Sequence, residues 1–236
     1  MNHIEKHIKV QKLLIKNHTN KSLKYLYGRG FTDKIIKRFG IGYNDGIELP
    51  NIPIFYDCIT IPFYDLKNRI VAYYCRSIDK DSERKHMTSN NEPFLYEKGK
   101  MFYNLNNVLH KYYNGKVFVV EGQIDCISMH QAGFKNTIAI IGNQVTNIQC
   151  ELLYRYFDRI YLVADNDDAG DYTFKFLESS YDEKKRKKLS TSRKKLKKLS
   201  LFKIKIRKKN IKDVNDLLIK EINIKQYFKE IKEKIS

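Results

Sequence analysis

Several features are scarce or missing in this 236-residue sequence, and each absence narrows the class of protein. Tryptophan is absent, and the four cysteines include no CxxC pair, so the sequence indicates neither a zinc ribbon nor a disulfide framework. We therefore expect reduced, buried thiols and no zinc. No apolar run approaches the ~18 residues that a membrane span requires. The sequence thus predicts a cytoplasmic protein with no membrane partner.

Acidic residues are also scarce compared with basic ones. The sequence has 45 Lys and Arg against 27 Asp and Glu, which gives a formal net charge of +18. A chain this basic usually meets a polyanion, and nucleic acid is the first candidate. A general lysine bias without any partner is the alternative explanation of the charge.

Three short apolar runs in the middle of the sequence predict buried parallel strands. Each is rich in β-branched or aromatic residues, stops at a glycine or an acid, and is separated from the next by a segment of helical length. The runs are KVFVVEGQID from Lys116, TIAIIGNQVT from Thr137 and RIYLVADNDDAG from Arg159. This alternation predicts an α/β fold with an open sheet, in which ligands bind beyond the carboxyl ends of the strands.

Acidic side chains follow the first and the third of these runs. Glu121 ends the first run and Asp165 ends the third, with Asp167 and Asp168 on the same turn. Carboxylates crowded into one site repel each other unless they hold a hard divalent cation, so we expect a Mg²⁺ (or Mn²⁺) site at this edge of the sheet. A helix N-cap explains Asp168 alone equally well.

Two further acids lie where they can join this site. Asp125 falls on the first turn of the helix after Glu121, where it either orients a ligand or complements the helix dipole. Asp213 follows a later predicted strand at 201–207 and is a candidate metal ligand as well as a candidate N-cap. The candidate catalytic residues are Glu121, Asp125, Asp165 and Asp167, and the candidate metal ligands are Glu121, Asp165, Asp167 and Asp213.

The first half of the sequence predicts two small helices and then a β-hairpin. Arg29 lies between two glycines at the junction of the helices, where it either contacts phosphate or is a plain surface arginine. The stretch from Cys58, CITIPFYDLKNRIVAYYCRSI, alternates apolar and polar residues around a turn, which predicts the hairpin. Pro62 indicates that the first hairpin strand lies at a sheet edge.

Three basic residues, Arg76, Lys85 and Lys98, lie on and after the second hairpin strand. The segment between them is polar and interleaves aromatic residues with the basic ones. Charges suit the backbone of a nucleic acid strand or a triphosphate, and ring faces suit bases. A solvated loop whose aromatic residues dock on the core is the alternative.

Several of these motifs resemble those of bacterial-type DNA primases. EGQID at 121–125, DNDDAG at 165–170 and KDVND at 212–216 are similar to the EGxxD, DxDxAG and KD elements of the primase Toprim domain. The similarity continues upstream, so that it spans about residues 22–220. The upstream stretches resemble the helix pair, the hairpin, the KYLNS loop and the KG turn of the primase N-terminal subdomain, and they read YLYGRGFTDKIIKRFGIGY, IPFYDLKNRIVAYYCRSI, KHMTS and YEKGKMFYNL.

The resemblance implies an α/β chain built of an α+β N-terminal subdomain and a Rossmann-like Toprim domain with a parallel sheet. We place an N-terminal arm at 1–20, the basic α+β subdomain at 21–114 and the Toprim domain at 115–220. A lysine-rich insertion is expected at 182–200, and a C-terminal helix at 221–236. The zinc-binding and helicase domains of the family are expected to be missing.

The resemblance further implies synthesis of short RNA primers on single-stranded DNA from ribonucleoside triphosphates, by two-metal nucleotidyl transfer. Arg29, Arg76, Lys85 and Lys98 would guide the template and the incoming nucleotide. A replicative helicase or a separate zinc-domain protein would be a further partner, and a phage-encoded chain would act in the cytoplasm of its bacterial host. A metal-dependent Toprim nuclease and a non-catalytic single-stranded-DNA-binding replication or recombination factor are the alternatives.

The sequence departs from the pattern of the family at several positions, one of which is Asn166 in place of the glycine of DGD. Gln123 replaces the tyrosine of EGYMD, and Thr88 replaces the asparagine of KYLNS. Asn215 replaces the second acid of the DPD element, with Asp216 beside it. The last departure weakens the second metal position and leaves open whether Asn215 or Asp216 completes it.

Overall fold

The computed structural model describes residues 3–49, 55–89, 96–142, 144–164, 169–191, 199–206, 208 and 210–235. These residues form two compact units, Met1–Glu97 and Lys98–Ser236. None of the described helices is long and apolar enough to cross a membrane. The elements of the first unit are α1 (His3–Lys16), α2 (Asn20–Gly28), α3 (Asp33–Phe39), β1 (Gly42–Asn44), β2 (Cys58–Tyr64), β3 (Ile70–Ser77) and β4 (His86–Thr88).

The first unit contains an antiparallel sheet with the strand order β1-β2-β3-β4. Strands β2 and β3 form the hairpin that the alternating pattern predicts. Strand β2 is internal, so the edge position inferred from Pro62 is wrong. The sheet accommodates this proline because β1 pairs with β2 only as far as Thr60, so Pro62 lies beyond the end of β1.

Helix α1 packs on the core of the first unit rather than extending from it as the expected arm. Its residues Val10 and Leu14 are buried in the core beneath it. Two long-range hydrogen bonds also fix the helix: Gln11 Nε2 donates to the Gly40 carbonyl at 2.7 Å, and the Tyr73 hydroxyl donates to the His7 carbonyl at 3.0 Å. Val10 and Leu14 therefore serve packing, whereas Ile8, Leu13 and Ile15 of the same helix are exposed.

The second unit is the α/β sheet domain that the three apolar runs predict. Its strand order is β5-β7-β6-β8-β9, and all neighbours run parallel except β5, which is antiparallel to β7. Its elements are a 3₁₀ turn (Lys98–Lys100), β5 (Phe102–Tyr103), α4 (Leu105–Asn107), a π-helical turn (Val108–Tyr112), β6 (Lys116–Val120), α5 (Gln123–Gln131), β7 (Thr137–Ile140), α6 (Asn147–Tyr156), β8 (Arg159–Ala164), α7 (Ala169–Thr191), β9 (Ser200–Lys205), α8 (Val214–Ile219) and α9 (Ile224–Ile235).

The division between the two units falls at residue 97, earlier than the boundary expected at 114. The cause is β5, because Phe102 pairs with Ile140 and Tyr103 with Ala139 on β7. Phe102 is also buried in the same core as the parallel strands. Residues 98–114 therefore fold as part of the sheet domain.

The core of the second unit is formed by apolar side chains of the parallel strands and of α6 and α7. Val119 and Leu162, which are register neighbours on β6 and β8, pack with Leu153 and Leu177 of the helices. All four cysteines of the chain are free and buried, which confirms the expectation of reduced, buried thiols for Cys75, Cys126 and Cys150. Burial of the apolar side chains of the strands and of α6 and α7 away from water stabilises the second unit.

The lysine-rich segment expected as an insertion at 182–200 is helical over much of its length. Helix α7 continues to Thr191, residues 192–198 lie outside the described ranges, and β9 begins at Ser200. Asp171 on the first turn of α7 forms ion pairs with Lys203 and Lys205 of β9. Burial and the neighbouring Lys205 both lower the pKa of Lys203. These ion pairs join the start of α7 to the edge strand.

Candidate active site

The carboxyl edge of the parallel sheet is where the sequence predicts a metal site. Strands β6 and β8 run side by side with Val119 opposite Leu162, and they end at Val120 and Ala164. Glu121 follows β6 directly and is partly buried. In an open α/β sheet this edge is the place where ligands bind.

Two of the four predicted metal ligands, Asp165 and Asp167, lie outside the described residues, as does Asp168. In the part of the chain that the structure describes, no group of three or more His, Cys, Asp or Glu side chains is arranged to hold a metal ion. Glu121 and Asp213 are the described members of the predicted set.

Asp125 is buried and forms a hydrogen bond with the backbone of a distant part of the chain. Its side chain is 7% exposed, and Oδ1 accepts a hydrogen bond from the backbone N–H of Asn215 at 3.0 Å. A Cβ atom at Gly122 would lie 2.7 Å from Asp125 Oδ2, so a larger residue there would displace this carboxylate. Asp125 therefore packs against the loop that follows Glu121 and ties it to α8.

Asn215 completes this connection with its own side chain. It is 1% exposed, and Nδ2 donates to Ser128 Oγ at 3.0 Å. Ser128 Oγ donates in turn to the Ile124 carbonyl at 2.9 Å. The amide that replaces the second acid of the family pattern is thus directed into α5, where it is satisfied by hydrogen bonds. Asp125, Asn215 and Ser128 form what we call the α5–α8 network.

Asp213 is the N-cap residue of α8. Its Oδ1 accepts a hydrogen bond from the backbone N–H of Asp216 at 2.8 Å, and Asp216 Oδ2 accepts one from the backbone N–H of Lys212 at 2.8 Å. The cap bond uses one carboxylate oxygen of Asp213, and an ionised carboxylate has a second oxygen that can bind a metal. The cap that the sequence offered as an alternative is therefore present, and it is compatible with a ligand role.

Two of the predicted nucleic-acid-binding residues, Arg29 and Arg76, meet around tyrosine rings in the first unit. The Arg29 guanidinium lies 5.4 Å from the centroid of the Tyr25 ring. Burial lowers the pKa of Arg76, but its hydrogen bond with Tyr74 and the nearby phenol groups of Tyr74 and Tyr25 outweigh this, so that the pKa of Arg76 is raised from its ordinary value. Both side chains thus present fixed positive charge beside aromatic rings.

His86, on the neighbouring strand, adds a third ring to these arginine and tyrosine side chains. Its ring stacks on Tyr74 with centroids 5.8 Å apart, and β4 pairs with β3 so that His86 lies opposite Arg76. We call these five residues, Tyr25, Arg29, Tyr74, Arg76 and His86, the Arg–Tyr cluster. Sequence reasoning missed its three rings, although the spacing of Tyr25 and Arg29 on a helix and of Tyr74 and Arg76 on a strand face could have indicated them.

The other two predicted basic residues, Lys85 and Lys98, do not belong to this cluster. Lys85 precedes β4 and its carbonyl accepts a hydrogen bond from the Ser77 N–H at 3.0 Å, while its Nζ donates to the Lys80 carbonyl. Lys98 belongs to the second unit, on the turn before β5. The four residues that were predicted to guide the template and the incoming nucleotide are therefore divided between the two units.

Two protein families match successive parts of the chain. The family described as DNA primase catalytic core, N-terminal domain, matches residues 48–109, and the family described as Toprim-like matches residues 118–218. The second match contains Glu121, Asp125, Asp165, Asp167 and Asp213.

Curated relatives and solved structures agree with these matches. The chain is 29% identical over 178 residues to a DNA primase of Clostridium acetobutylicum and 31% identical over 184 residues to one of Campylobacter jejuni. These matches cover 64% and 65% of the chain but only 30% of either relative. A solved structure of the DnaG primase catalytic domain bound to single-stranded DNA superimposes with a TM-score of 0.75 at 16% identity, covering 98% of this chain and 80% of that one. The chain therefore has the fold of that catalytic domain.

Proposed function

We propose that this chain, which belongs to the family of DnaG-type DNA primase catalytic cores, joins ribonucleotides into short RNA primers on a single-stranded DNA template. The observation that carries the proposal is the succession in one chain of a primase N-terminal domain and a Toprim-like domain. The chain spans about 30% of the length of the two named primases. A replicative helicase or a zinc-domain protein as a further partner belongs to the same proposal.

Mg²⁺, or Mn²⁺, would be held by Glu121, Asp165, Asp167 and Asp213. Two ions held by these residues would supply activation of the attacking 3′-hydroxyl and stabilisation of the leaving pyrophosphate. Carboxylate oxygens are the ligands that these hard ions prefer. Glu121 at the sheet edge and the second oxygen of Asp213 fit this donor set.

Asp125 acts through its neighbours in this proposal, as a positioning residue. Its carboxylate packs against Gly122, next to Glu121, and accepts the backbone N–H of Asn215, two residues after Asp213. The side chain thereby links the two described segments that carry proposed ligands. A buried carboxylate is better suited to this positioning role than to direct contact with substrate.

The Arg–Tyr cluster would bind the template. Guanidinium groups suit phosphates, and ring faces suit stacked bases, so a surface of this kind binds a single strand with little dependence on sequence. Lys85 and Lys98 would add charge along the path of the template or the incoming triphosphate. The DnaG catalytic domain that was solved with single-stranded DNA supports the choice of single-stranded DNA as the template.

The decisive experiment incubates the protein with single-stranded DNA, ribonucleoside triphosphates and Mg²⁺, with and without a candidate helicase. A primase produces short RNA, a Toprim nuclease shortens the DNA, and a non-catalytic factor binds the DNA and leaves the nucleotides unchanged. We expect Asp165→Ala to abolish primer synthesis while single-stranded DNA binding survives. An unchanged primer yield in this variant would refute the metal assignment.

A further inference from the structure

The turn that carries Lys98 packs tightly against the start of α6. It spans Lys98–Lys100 and leads directly into β5. A Cβ atom at Gly99 would lie 3.0 Å from Thr146 Cγ2, which is closer than ordinary van der Waals contact. Both segments belong to the second unit, so this contact lies within one compact body.

Three backbone carbonyls of this segment accept hydrogen bonds from two side chains of α6. Thr146 Oγ1 donates to the Gly99 carbonyl at 2.5 Å. Gln149 Nε2 donates to the Met101 carbonyl at 2.7 Å and to the Lys98 carbonyl at 3.4 Å. The backbone on both sides of Gly99 is therefore fixed by side chains that lie almost 50 residues further along the chain.

The same two side chains also form the capping box of α6. Thr146 Oγ1 accepts the Gln149 N–H at 3.2 Å, and Gln149 Oε1 accepts the Thr146 N–H at 3.0 Å. Gln149 is 0% exposed. Its amide oxygen accepts the hydrogen bond of the cap, and its amide nitrogen donates the hydrogen bonds to the turn. Glutamate and glutamine close a capping box equally well, but only glutamine has N–H groups to donate. The cap alone does not require glutamine at this position, whereas the turn does.

We propose that Thr146 and Gln149 form a clasp that positions Lys98 for binding of the template or the incoming nucleotide. The inference rests on the proposed function, because it takes Lys98 as a nucleic-acid-binding residue. Both clasp residues are positioning residues that act through the turn backbone. The clasp joins a segment of the primase N-terminal-domain match to a segment of the Toprim-like match.

The test is a double-mutant cycle between Gln149→Glu and Lys98→Ala, measured as the affinity for fluorescent single-stranded DNA and as the nucleotide KM and kcat. Gln149→Glu keeps the acceptor of the cap, removes both donors to the turn and buries a carboxylate against the turn carbonyls, so its stability is measured beside its affinity. We expect it to raise the dissociation constant or the nucleotide KM about threefold to tenfold, with kcat within about twofold of wild type. The double variant should bind no more weakly than Lys98→Ala alone, because coupled residues are not additive.

Two controls separate positioning from mere loss of stability. Asn223 is the N-cap of α9, where its Oδ1 accepts the Gln226 N–H at 3.1 Å, so Asn223→Ala removes a helix cap that does not touch the turn. It should lower the melting temperature and leave binding unchanged. Thr146→Val should reproduce the binding defect, and Thr146→Ser, which keeps the hydroxyl, should restore affinity.

Three outcomes would overturn the clasp. One is an equal binding defect of Gln149→Glu in the wild-type and Lys98→Ala backgrounds, another is a binding defect in Asn223→Ala, and the third is unchanged binding in Lys98→Ala. Failure of the proposed function has a different signature, because the wild-type protein would then bind single-stranded DNA and make no primers. The binding cycle is measurable in either case.

Discussion

The regions proposed for catalysis and for template binding are held together in different ways. In the α5–α8 network, Asp125 and Asn215 are almost fully buried and joined by direct hydrogen bonds across 90 residues of sequence. In the Arg–Tyr cluster, Arg29 and His86 remain partly or fully exposed and contact tyrosine rings. The first region is fixed by buried hydrogen bonds, whereas the second combines ring contacts with hydrogen bonds of the partly exposed Arg76.

This difference matches what each task requires. Groups that hold reacting atoms must keep their geometry within fractions of an ångström, and buried hydrogen bonds provide such rigidity. A template groove must accept any sequence, and charged side chains beside rings bind phosphates and bases without reading them. The comparison therefore predicts that changes at the acidic edge, which comprises the proposed metal ligands Glu121, Asp165, Asp167 and Asp213, affect chemistry or stability. Changes in the Arg–Tyr cluster affect affinity and its salt dependence.

The largest effect is expected from Glu121→Gln. The amide has the same size as the carboxylate but lacks the charge that a divalent ion requires, so primer yield should fall by about a thousandfold or more. The affinity for single-stranded DNA should stay within about twofold of wild type, since Glu121 belongs to the acidic edge. Primer gels and fluorescence anisotropy on the same preparations provide the two measurements. If primer yield and the affinity for single-stranded DNA fell by the same factor, the distinction between the two regions would be wrong.

The next effect concerns stability and comes from Asn215→Asp. The new carboxylate would be buried beside Asp125 and would face Ser128 Oγ, whose proton is already donated to the Ile124 carbonyl. Burial of a charge without a partner costs about 2–3 kcal/mol of unfolding free energy near pH 8. Urea unfolding of the variant and the wild type measures this cost.

The same variant should be less impaired at low pH. Burial and the neighbouring Asp125 would raise the folded-state pKa of the new carboxyl above its ordinary value of about 3.9. A folded state that binds more protons than the unfolded state loses stability as pH rises through the folded pKa, so the deficit grows from pH 5 to pH 8. Asn223→Asp is the matched control, because Asn223 is exposed and aspartate caps a helix equally well. Loss of stability independent of pH would show that Asn215 is not held in a charge-excluding network.

Patterns within one element predicted most of the fold correctly. The parallel strands of the second unit and the hairpin of β2 and β3 both follow from residues that are neighbours in sequence. The boundary at residue 97 did not follow, because it depends on a two-residue antiparallel pairing between β5 and β7. Strand pairings this short have no periodicity that a sequence pattern could detect.

The candidate site shows the same limit. The sequence indicated which acids follow strands, and this placed Glu121 at the sheet edge. It left the role of Asp125 open between ligand orientation and the helix dipole, because its partner Asn215 is 90 residues away and uses a backbone N–H. Backbone donors carry no sequence signal, so bonds of this kind become visible only in the folded chain.

The smallest effect is expected from Arg76→Gln in the Arg–Tyr cluster. Loss of one phosphate contact should raise the dissociation constant for single-stranded DNA about threefold to tenfold and reduce the slope of log K against log salt by about 0.7. At saturating template the rate of primer synthesis should stay close to wild type, because the acidic edge is untouched. Lys67→Gln removes the same charge from an exposed hairpin turn and is the matched control. If both variants change the salt slope equally, the positive charge of the whole chain, rather than the Arg–Tyr cluster, accounts for binding.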